Sequence, residues 1–188
     1  MLQIGTPRQR ALLAILLLSD GRAASPEELI EGIWENPPES AQAALRTYAY
    51  RLRKCLGPDT LVHDAGRYAL RIRDSEFDLA VAEERASSAE AAAAAGHAEH
   101  ARDLYATALQ FFVGEPLAGV PGPYAERHRE RLSKWRQTLL ERRVELDLAT
   151  GRYDEAVADL TALTPTNPLN DRLRELLVLA QHRNRPEG

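Results

Sequence analysis

The stretch Ser40–Leu56, SAQAALRTYAYRLRKCL, contains four cationic side chains and no acidic one, in a chain of 188 residues with a formal net charge of −4. Read as a helix, at about 100° per residue, it places its apolar side chains on one side. These are Ala41, Ala44, Leu45, Tyr48, Leu52, Cys55 and Leu56. The rest of the surface carries Arg46, Thr47, Tyr50, Arg51, Arg53 and Lys54. This cationic face predicts an anionic partner, and the competing interpretation is an ordinary solvated helix surface.

Two shorter helices are predicted upstream of this stretch. Pro7–Leu18 is rich in leucine and is expected to end at Asp20-Gly21. In the next helix Ser25 stands at the cap position, with Pro26 at the first helical position and Glu28 three residues after the cap. This arrangement predicts a capping box, in which each side chain bonds the other residue's backbone N–H.

Prolines and glycines are expected to set the limits of the cationic helix. Asn36-Pro37-Pro38 breaks the preceding helix, because a residue before proline is disfavoured in the helical region. Ser40 is expected to cap the cationic helix through its side chain. Gly57-Pro58 is expected to end it.

A β-hairpin is predicted after the third helix, with a tight turn at Asp64-Ala65-Gly66-Arg67. In its second strand the apolar Tyr68, Leu70 and Ile72 alternate with Arg67, Arg71 and Arg73. The outer face of the hairpin is therefore expected to be basic. Three helices followed by a basic hairpin indicate a winged helix-turn-helix, in which the third helix enters the major groove of DNA and the hairpin contacts phosphates or the minor groove.

Charge differs between the two halves of the chain. Residues 1–73 contain 10 Lys or Arg and 8 Asp or Glu, a balance of +2, whereas residues 74–188 contain 14 and 20, a balance of −6. Phosphate repels an acidic surface. The second half is therefore expected to contact protein rather than nucleic acid.

Helical periodicity continues through the second half, with a loop rich in glycine and proline between Val113 and Pro123. The expected helices are Asp78–Ala95, His97–Phe112, Pro123–Ala149, Tyr153–Leu163 and Leu169–His182. Gly96 and Gly151 each stand five residues before an alanine that belongs to the second helix of a pair. This weak repeat favours tetratricopeptide-like hairpins in an irregular array, and the alternative is an ordinary helical bundle.

Other classes of protein have no signature in the chain. The sequence contains no phosphate-binding loop and no nucleophile elbow, and its histidines lack the neighbours of a metal site. We therefore expect no enzymatic activity, no cofactor and no metal. The single Cys55 and the short apolar run Ala11–Leu18 favour a cytoplasmic protein without membrane contact.

Short motifs along the chain resemble the Streptomyces antibiotic regulatory proteins. In the first half they are Gly5–Leu13 (GTPRQRALL), Glu28–Trp34 (ELIEGIW), Ala44–Tyr48 (ALRTY), Arg51–Arg53 (RLR) and Gly66–Leu70 (GRYAL). Gly114–Leu117 (GEPL) and Gly122–Glu126 (GPYAE) resemble the bacterial transcriptional activator domain that follows the winged helix in that family.

The resemblance implies a mainly α fold, with an OmpR-type winged helix-turn-helix domain at residues 1–73 and a tetratricopeptide-like activator domain at residues 76–188. It also implies an activator of a secondary-metabolite (antibiotic) gene cluster. Such an activator binds direct repeats near the −35 region of promoter DNA, as side-by-side protomers, and recruits RNA polymerase, in part through its principal sigma factor. The alternative is a helical-repeat interaction scaffold whose winged helix binds protein.

Two departures from the family pattern concern the ends of the chain. OmpR-type domains begin with a small antiparallel sheet, of which only Leu2-Gln3-Ile4 is expected here. The activator domain is expected to continue beyond Arg185–Gly188 into a further helical pair. A fragment or a shortened family member is therefore expected.

The candidate DNA contacts lie on the third helix and on the hairpin. They are Arg46, Thr47, Tyr50, Arg51, Arg53 and Lys54 on the helix, and Arg67 and Arg71 on the hairpin. Arg46 or Tyr50 is expected to reach base edges, and Arg51 and Lys54 to contact phosphates. Arg8 and Arg10 are expected either to contact the DNA backbone or sigma factor, or to be plain surface.

Overall fold

A computed structural model describes residues 5–57, 59–72, 77–166 and 170–184. These ranges form eight α-helices and a two-stranded antiparallel sheet, with a short 3-10 turn at Thr164–Thr166. The elements are α1 (Pro7–Leu17), α2 (Pro26–Ile33), α3 (Ala41–Leu56), β1 (Leu61–Asp64), β2 (Arg67–Leu70), α4 (Asp78–Ala94), α5 (Ala98–Leu109), α6 (Pro123–Ala149), α7 (Tyr153–Leu163) and α8 (Asp171–Arg183).

Contacts divide the chain into two compact units. The first unit contains the residues up to Phe77 together with Gly114–Ser133, and the second contains Asp78–Val113 and the residues from Lys134 onward. None of the helices in the described part of the chain combines the length and the hydropathy needed to span a bilayer.

The core of the first unit is formed by α1, α2, α3 and the hairpin. Leu12 and Leu16 of α1 are fully buried against Leu29 of α2 and against Leu45 and Leu52 of α3. Burial of whole leucine side chains supplies the main favourable free energy of such a small core. The predicted three-helix arrangement is therefore confirmed.

Capping boxes begin both α1 and α2. The predicted box at α2 is confirmed, since Ser25 Oγ accepts a hydrogen bond from Glu28 N at 3.2 Å and Ser25 N donates to Glu28 Oε2 at 2.7 Å. Thr6 and Gln9 form a second box at α1, which was not predicted. Ser40 makes no side-chain cap bond, so that prediction is wrong. A capping residue requires an extended backbone, and the backbone of Ser40 (φ −81°, ψ 6°) is not extended.

The buried face of α3 differs in detail from the predicted stripe. Ala41, Leu45, Ala49 and Leu52 are buried, whereas Cys55 is exposed. Cys55 lies about 80° from Leu45 around the helix, at the edge of the buried row. The prediction that Cys55 lies on the apolar stripe is therefore wrong. Ala49, which was not predicted there, lies within the buried row.

The hairpin has the predicted turn and register. β1 and β2 pair from Leu61↔Leu70 to Asp64↔Arg67, leaving Ala65 and Gly66 as a two-residue turn with φ of 47° and 76°. Two positive φ angles are characteristic of a type I′ turn, which matches the twist of the strands. Tyr68 and Leu70 are buried and Arg67 and Arg71 are exposed, as predicted, whereas Arg73 lies outside the described residues.

The segment Gly114–Ser133 packs within the first unit. Val120 and Tyr124 lie against its core. A Cβ atom on Gly122, whose φ is +104°, would lie 2.7 Å from the carbonyl oxygens of Gly32 and Ile33. By sequence, this segment is predicted to belong to the domain that begins at residue 76. The domain limits at residues 73 and 76 stay a prediction.

The second unit contains the predicted repeat. Gly96 and Gly151 have φ of 80° and 77°, and each precedes a helix whose alanine, Ala101 or Ala156, has no exposed surface. Ala101 N donates to His97 O at 3.0 Å, and Ala156 N donates to Arg152 O at 3.1 Å. The two turns are therefore the same structural motif.

The limits of α4, α5 and α8 differ from prediction by one to three residues. α5 ends at Leu109 rather than Phe112, because the next three backbone N–H groups bond three residues back. This tighter turn places Phe112 edge-on against Trp135, with ring centroids 5.4 Å apart. α8 begins at Asp171, where Asn170 Oδ1 accepts from Leu173 N at 3.1 Å. The predicted start at Leu169 lies outside the described residues.

Candidate nucleic-acid interface

The face of α3 opposite its buried row is exposed and cationic. Arg46, Thr47, Tyr50, Arg51 and Lys54 are all exposed. The Tyr50 side chain is 64% exposed, although a large aromatic side chain is usually at least half-buried. The distance from Arg46 to Lys54 along the helix is about 12 Å, close to the width of the major groove.

The cations of this face are not paired within the described part of the chain. Arg46, Arg51 and Lys54 form no ion pair and no side-chain hydrogen bond with any described residue. Thr47 differs, since its Oγ1 donates to Ala43 O at 3.0 Å. Surface arginines elsewhere in the chain do pair, as Arg172 does with Glu145 at 2.8 Å. Three unpaired cations on one helix face leave positive charge available to an external anion.

Arg53 and Arg67 bond within the protein. Arg53, which is half-buried, donates from Nε to Leu61 O at 3.1 Å and so ties α3 to β1. Arg67 donates from Nε and Nη2 to Ala23 O at 3.2 and 3.0 Å, and its Nη2 lies 3.0 Å from Glu28 Oε2. These two guanidinium groups hold elements of the fold together, and their predicted contact with DNA stays a prediction.

Glu28 connects the start of α2 to the hairpin. The hydrogen bond from the backbone N–H of Ser25 lowers the pKa of Glu28 most, and the nearby Arg67 and Arg22 lower it further. Next to this cluster, Ala24 and Tyr68 exchange two backbone hydrogen bonds of 2.8 Å. The hairpin is thus fixed to α2 by both backbone and side-chain bonds.

A cleft of about 460 Å³ lies between α3 and the hairpin. The helix contributes Gln42, Leu45, Arg46, Ala49 and Arg53. Pro26, His63, Gly66 and Tyr68 complete the wall. Gln42 and His63 were not predicted as site residues. The signal for Gln42 was its position one helical turn before Arg46, and His63 is the cross-strand partner of Tyr68.

The remaining predicted residues lie on other parts of the first unit. Arg71 is exposed on β2's side of the hairpin, and its backbone N–H donates to Thr60 O at 2.8 Å. The guanidinium of Arg8 lies 5.7 Å from the ring centroid of Trp34, a cation–π distance. Trp34 in turn stacks on Tyr48 with ring centroids 6.0 Å apart, so these two aromatic side chains pack between helices.

Known proteins resemble both halves of the chain. A family model described as the bacterial transcriptional activator domain matches residues 77–186, and one described as transcriptional regulatory protein, C terminal, matches residues 4–68. The regulatory protein AfsR of Streptomyces coelicolor is 55% identical over 97% of this chain, and AfsR of Streptomyces griseus is 52% identical over 98%. The chain spans 19% of the length of each of these relatives.

A solved structure resembles the fold. Mycobacterium tuberculosis EmbR, in complex with a low-affinity phosphopeptide, matches with a TM-score of 0.88 and 30% sequence identity, over 96% of this chain and 50% of that one. The predicted fold class, a winged helix-turn-helix followed by a tetratricopeptide-like helical domain, is confirmed. The chain belongs to the bacterial transcriptional activator domain family, and within it to the Streptomyces antibiotic regulatory proteins, which join this domain to an OmpR-type winged helix.

Proposed function

We propose that this chain is a sequence-specific DNA-binding transcriptional activator whose helix α3 enters the major groove of promoter DNA. The observation that supports this most is the exposed face of α3, where Arg46, Arg51 and Lys54 have no partner among the described residues. The family's relatives are named regulatory proteins, which is consistent with this role.

The contact residues of the proposal have different tasks. Arg46 or Tyr50 reads base edges, since an arginine binds the O6 and N7 atoms of guanine with two hydrogen bonds. Arg51 and Lys54 contact phosphates, and Thr47 lies beside them on the same face. Arg71 contacts the backbone from the hairpin. Arg53 and Arg67 remain in the proposed contact set, with only those N–H groups that their intrachain bonds leave available.

The wider function follows the family. The proposed target is direct repeats near the −35 region of promoters of a secondary-metabolite gene cluster, occupied by protomers side by side. The acidic second half then recruits RNA polymerase, including its principal sigma factor. We also propose that the protein is cytoplasmic and has no enzymatic activity.

Titration of the full chain with labelled duplexes at two or more salt concentrations tests the proposal. Wild-type protein should select its own sites from a pool of genomic fragments and should bind them at least about 1,000-fold more tightly than scrambled duplexes. Weak retention that does not depend on sequence would contradict it and would favour a protein-interaction scaffold.

Two alanine variants separate the proposed tasks. Lys54→Ala should weaken binding to every duplex and flatten the slope of log affinity against log salt by about one unit. Arg46→Ala should cost about 1 to 3 kcal/mol on the selected site and much less on scrambled DNA. Lys134→Ala, at an exposed lysine of α6, is the matched control and should change neither quantity. An equal loss on selected and scrambled DNA for Arg46→Ala, or a loss confined to the selected site for Lys54→Ala, would refute the assignment of tasks.

A further inference from the structure

The cleft between α3 and the hairpin lies where the proposed mode of binding requires a DNA strand to pass. The sugar-phosphate backbone separates the major groove from the minor groove. A protein with α3 in one groove and a hairpin at the next must therefore straddle that backbone. Between these two elements the structure has a cleft of about 460 Å³.

The polar lining of this cleft suits a phosphodiester. Arg46, Arg53 and His63 line it together with the amide of Gln42, and no aspartate or glutamate is among its described lining residues. Arg53 is held in place by the bond from its Nε to Leu61 O at 3.1 Å. A fixed guanidinium loses little conformational freedom when it binds a phosphate oxygen.

The apolar part of the cleft lining is packed into the core of the first unit. Leu45, Ala49 and Tyr68 form part of the wall and belong to the core of the first unit, so they do not move independently. His63 stacks on Tyr68 with ring centroids 4.3 Å apart, and this stacking holds its imidazole at the edge of the cleft.

We propose that this cleft binds the sugar-phosphate backbone of one DNA strand, and that Gln42 and His63 donate hydrogen bonds to its phosphate oxygens. This inference rests on the proposed function, because it requires α3 to lie in the major groove. It assigns DNA contacts to two residues whose charge gives no indication of them. Both contacts are independent of sequence, so they add affinity without adding specificity.

Substitutions that keep size and remove hydrogen-bonding groups test the cleft. In the full chain, Gln42→Met retains chain length and His63→Phe retains stacking on Tyr68. Each should weaken binding of a fixed 30-base-pair duplex roughly 2- to 10-fold, the loss expected for one hydrogen bond. The loss should be the same on selected and scrambled duplexes. Gln181→Met and His100→Phe, at exposed positions of α8 and α5, are the matched controls and should bind as wild type does.

A scan of single methylphosphonates, which remove one phosphate charge at a time, locates the contact. At one backbone position the substitution should weaken wild-type binding but should have little further effect on the Gln42→Met/His63→Phe double variant. Methylphosphonate penalties identical in wild type and double variant, or wild-type affinity of both single variants, would overturn the cleft assignment while leaving the proposed function intact. Failure of wild-type protein to bind any duplex would overturn both.

Discussion

At the scale of single residues, Arg67, the first residue of β2, bonds to residues just before and within the first turn of α2. It donates to Ala23 O and to Glu28 Oε2, and these residues lie 44 and 39 positions away in sequence. Glu28 also accepts from Ser25 N, so one carboxylate serves the capping box and the hairpin together. Arg67 therefore fastens the hairpin to the start of α2.

Arg67→Ala should lower the urea midpoint of unfolding, and adding Glu28→Gln to that variant should lower it little further. The effects should not add, because either substitution breaks the same bond. Circular dichroism measures the midpoint, and Arg10→Ala, at an exposed arginine whose side chain has no described partner, is the control. Fully additive effects would contradict a stabilising bond between Arg67 and Glu28. A direct phosphate contact by Arg67 would appear separately, as a flattening of the salt slope of DNA binding by about 0.9 in Arg67→Ala.

At the scale of elements, a buried ion pair joins α5 to α6 within the second unit. Asp147 has no exposed surface, and its Oδ1 lies 2.8 Å from Arg102 Nε. The hydrogen bond to Asp147 raises the pKa of Arg102 above the ordinary value for arginine. Arg143 Nε lies 4.0 Å from Asp147 Oδ2, while its Nη2 bonds Asp159. The carboxylate therefore lies between two guanidinium groups inside a helical core.

Asp147→Ala should destabilise the second unit by about 3 kcal/mol, because it leaves Arg102 without its buried partner. Urea unfolding followed by circular dichroism measures the loss. Asp103→Ala is the matched control, since Asp103 also bonds Arg102, at 3.2 Å, but its side chain is 70% exposed. It should cost much less. Replacement of both buried partners, Arg102→Met with Asp147→Leu, should recover most of the loss. Equal costs for the two alanine variants would contradict this account.

The first turns of α6 contain a histidine that favours its neutral form. His128 stacks on Tyr124 with ring centroids 4.2 Å apart, and its buried Nδ1 has no hydrogen-bond partner among the residues that the structure describes. Burial lowers the pKa of His128, and the positive charges of Arg131 and Arg127 lower it further. Because the folded pKa is depressed, the stability that His128 contributes is present above the ordinary pKa of histidine. It is lost as pH falls through the folded value.

His128→Phe, which retains the ring stacking, should therefore make the first unit less sensitive to acid. The urea midpoint of wild-type protein should fall between pH 7.5 and pH 5, and that of the variant should fall less. His100→Phe, at an exposed histidine of α5, should keep the wild-type pH dependence. A variant whose midpoint falls as steeply as that of wild type would show that other groups cause the acid sensitivity.

At the scale of the whole molecule, sequence predicted the features that depend on neighbouring residues. α6 and α7 have the predicted limits, and the capping box at Ser25 and the turn at Ala65-Gly66 formed as expected, because each follows from residues a few positions apart. The bonds of Arg67 and the cleft beside His63 join residues distant in sequence. No local pattern marks such pairs, since tertiary packing alone brings them together.

The packing of Gly114–Ser133 within the first unit is another feature that no local sequence pattern marks. Its Val120 and Tyr124 pack on a core built by residues that precede Phe77. Gly122 lies so close to the end of α2 that a Cβ atom would be 2.7 Å from two carbonyl oxygens. The motif at Gly122–Glu126 resembled an activator domain, and resemblance to a family gives no information about which surface a segment covers.

A fragment of residues 1–77 should consequently be less stable than the same residues in the full chain. Removal of Val120 and Tyr124 exposes apolar surface on α1 and α2, which should cost about 2 to 3 kcal/mol. Trp34 lies in that core and reports its unfolding by fluorescence, and Trp135→Phe in the full chain leaves Trp34 as the single indole in both samples. Gly122→Ala in the same background should produce part of the loss, because the added methyl group pushes the segment away from Gly32 and Ile33. Equal urea midpoints for fragment and full chain would instead support the domain limit near residue 73, with Gly114–Ser133 adding nothing to the stability of the winged helix.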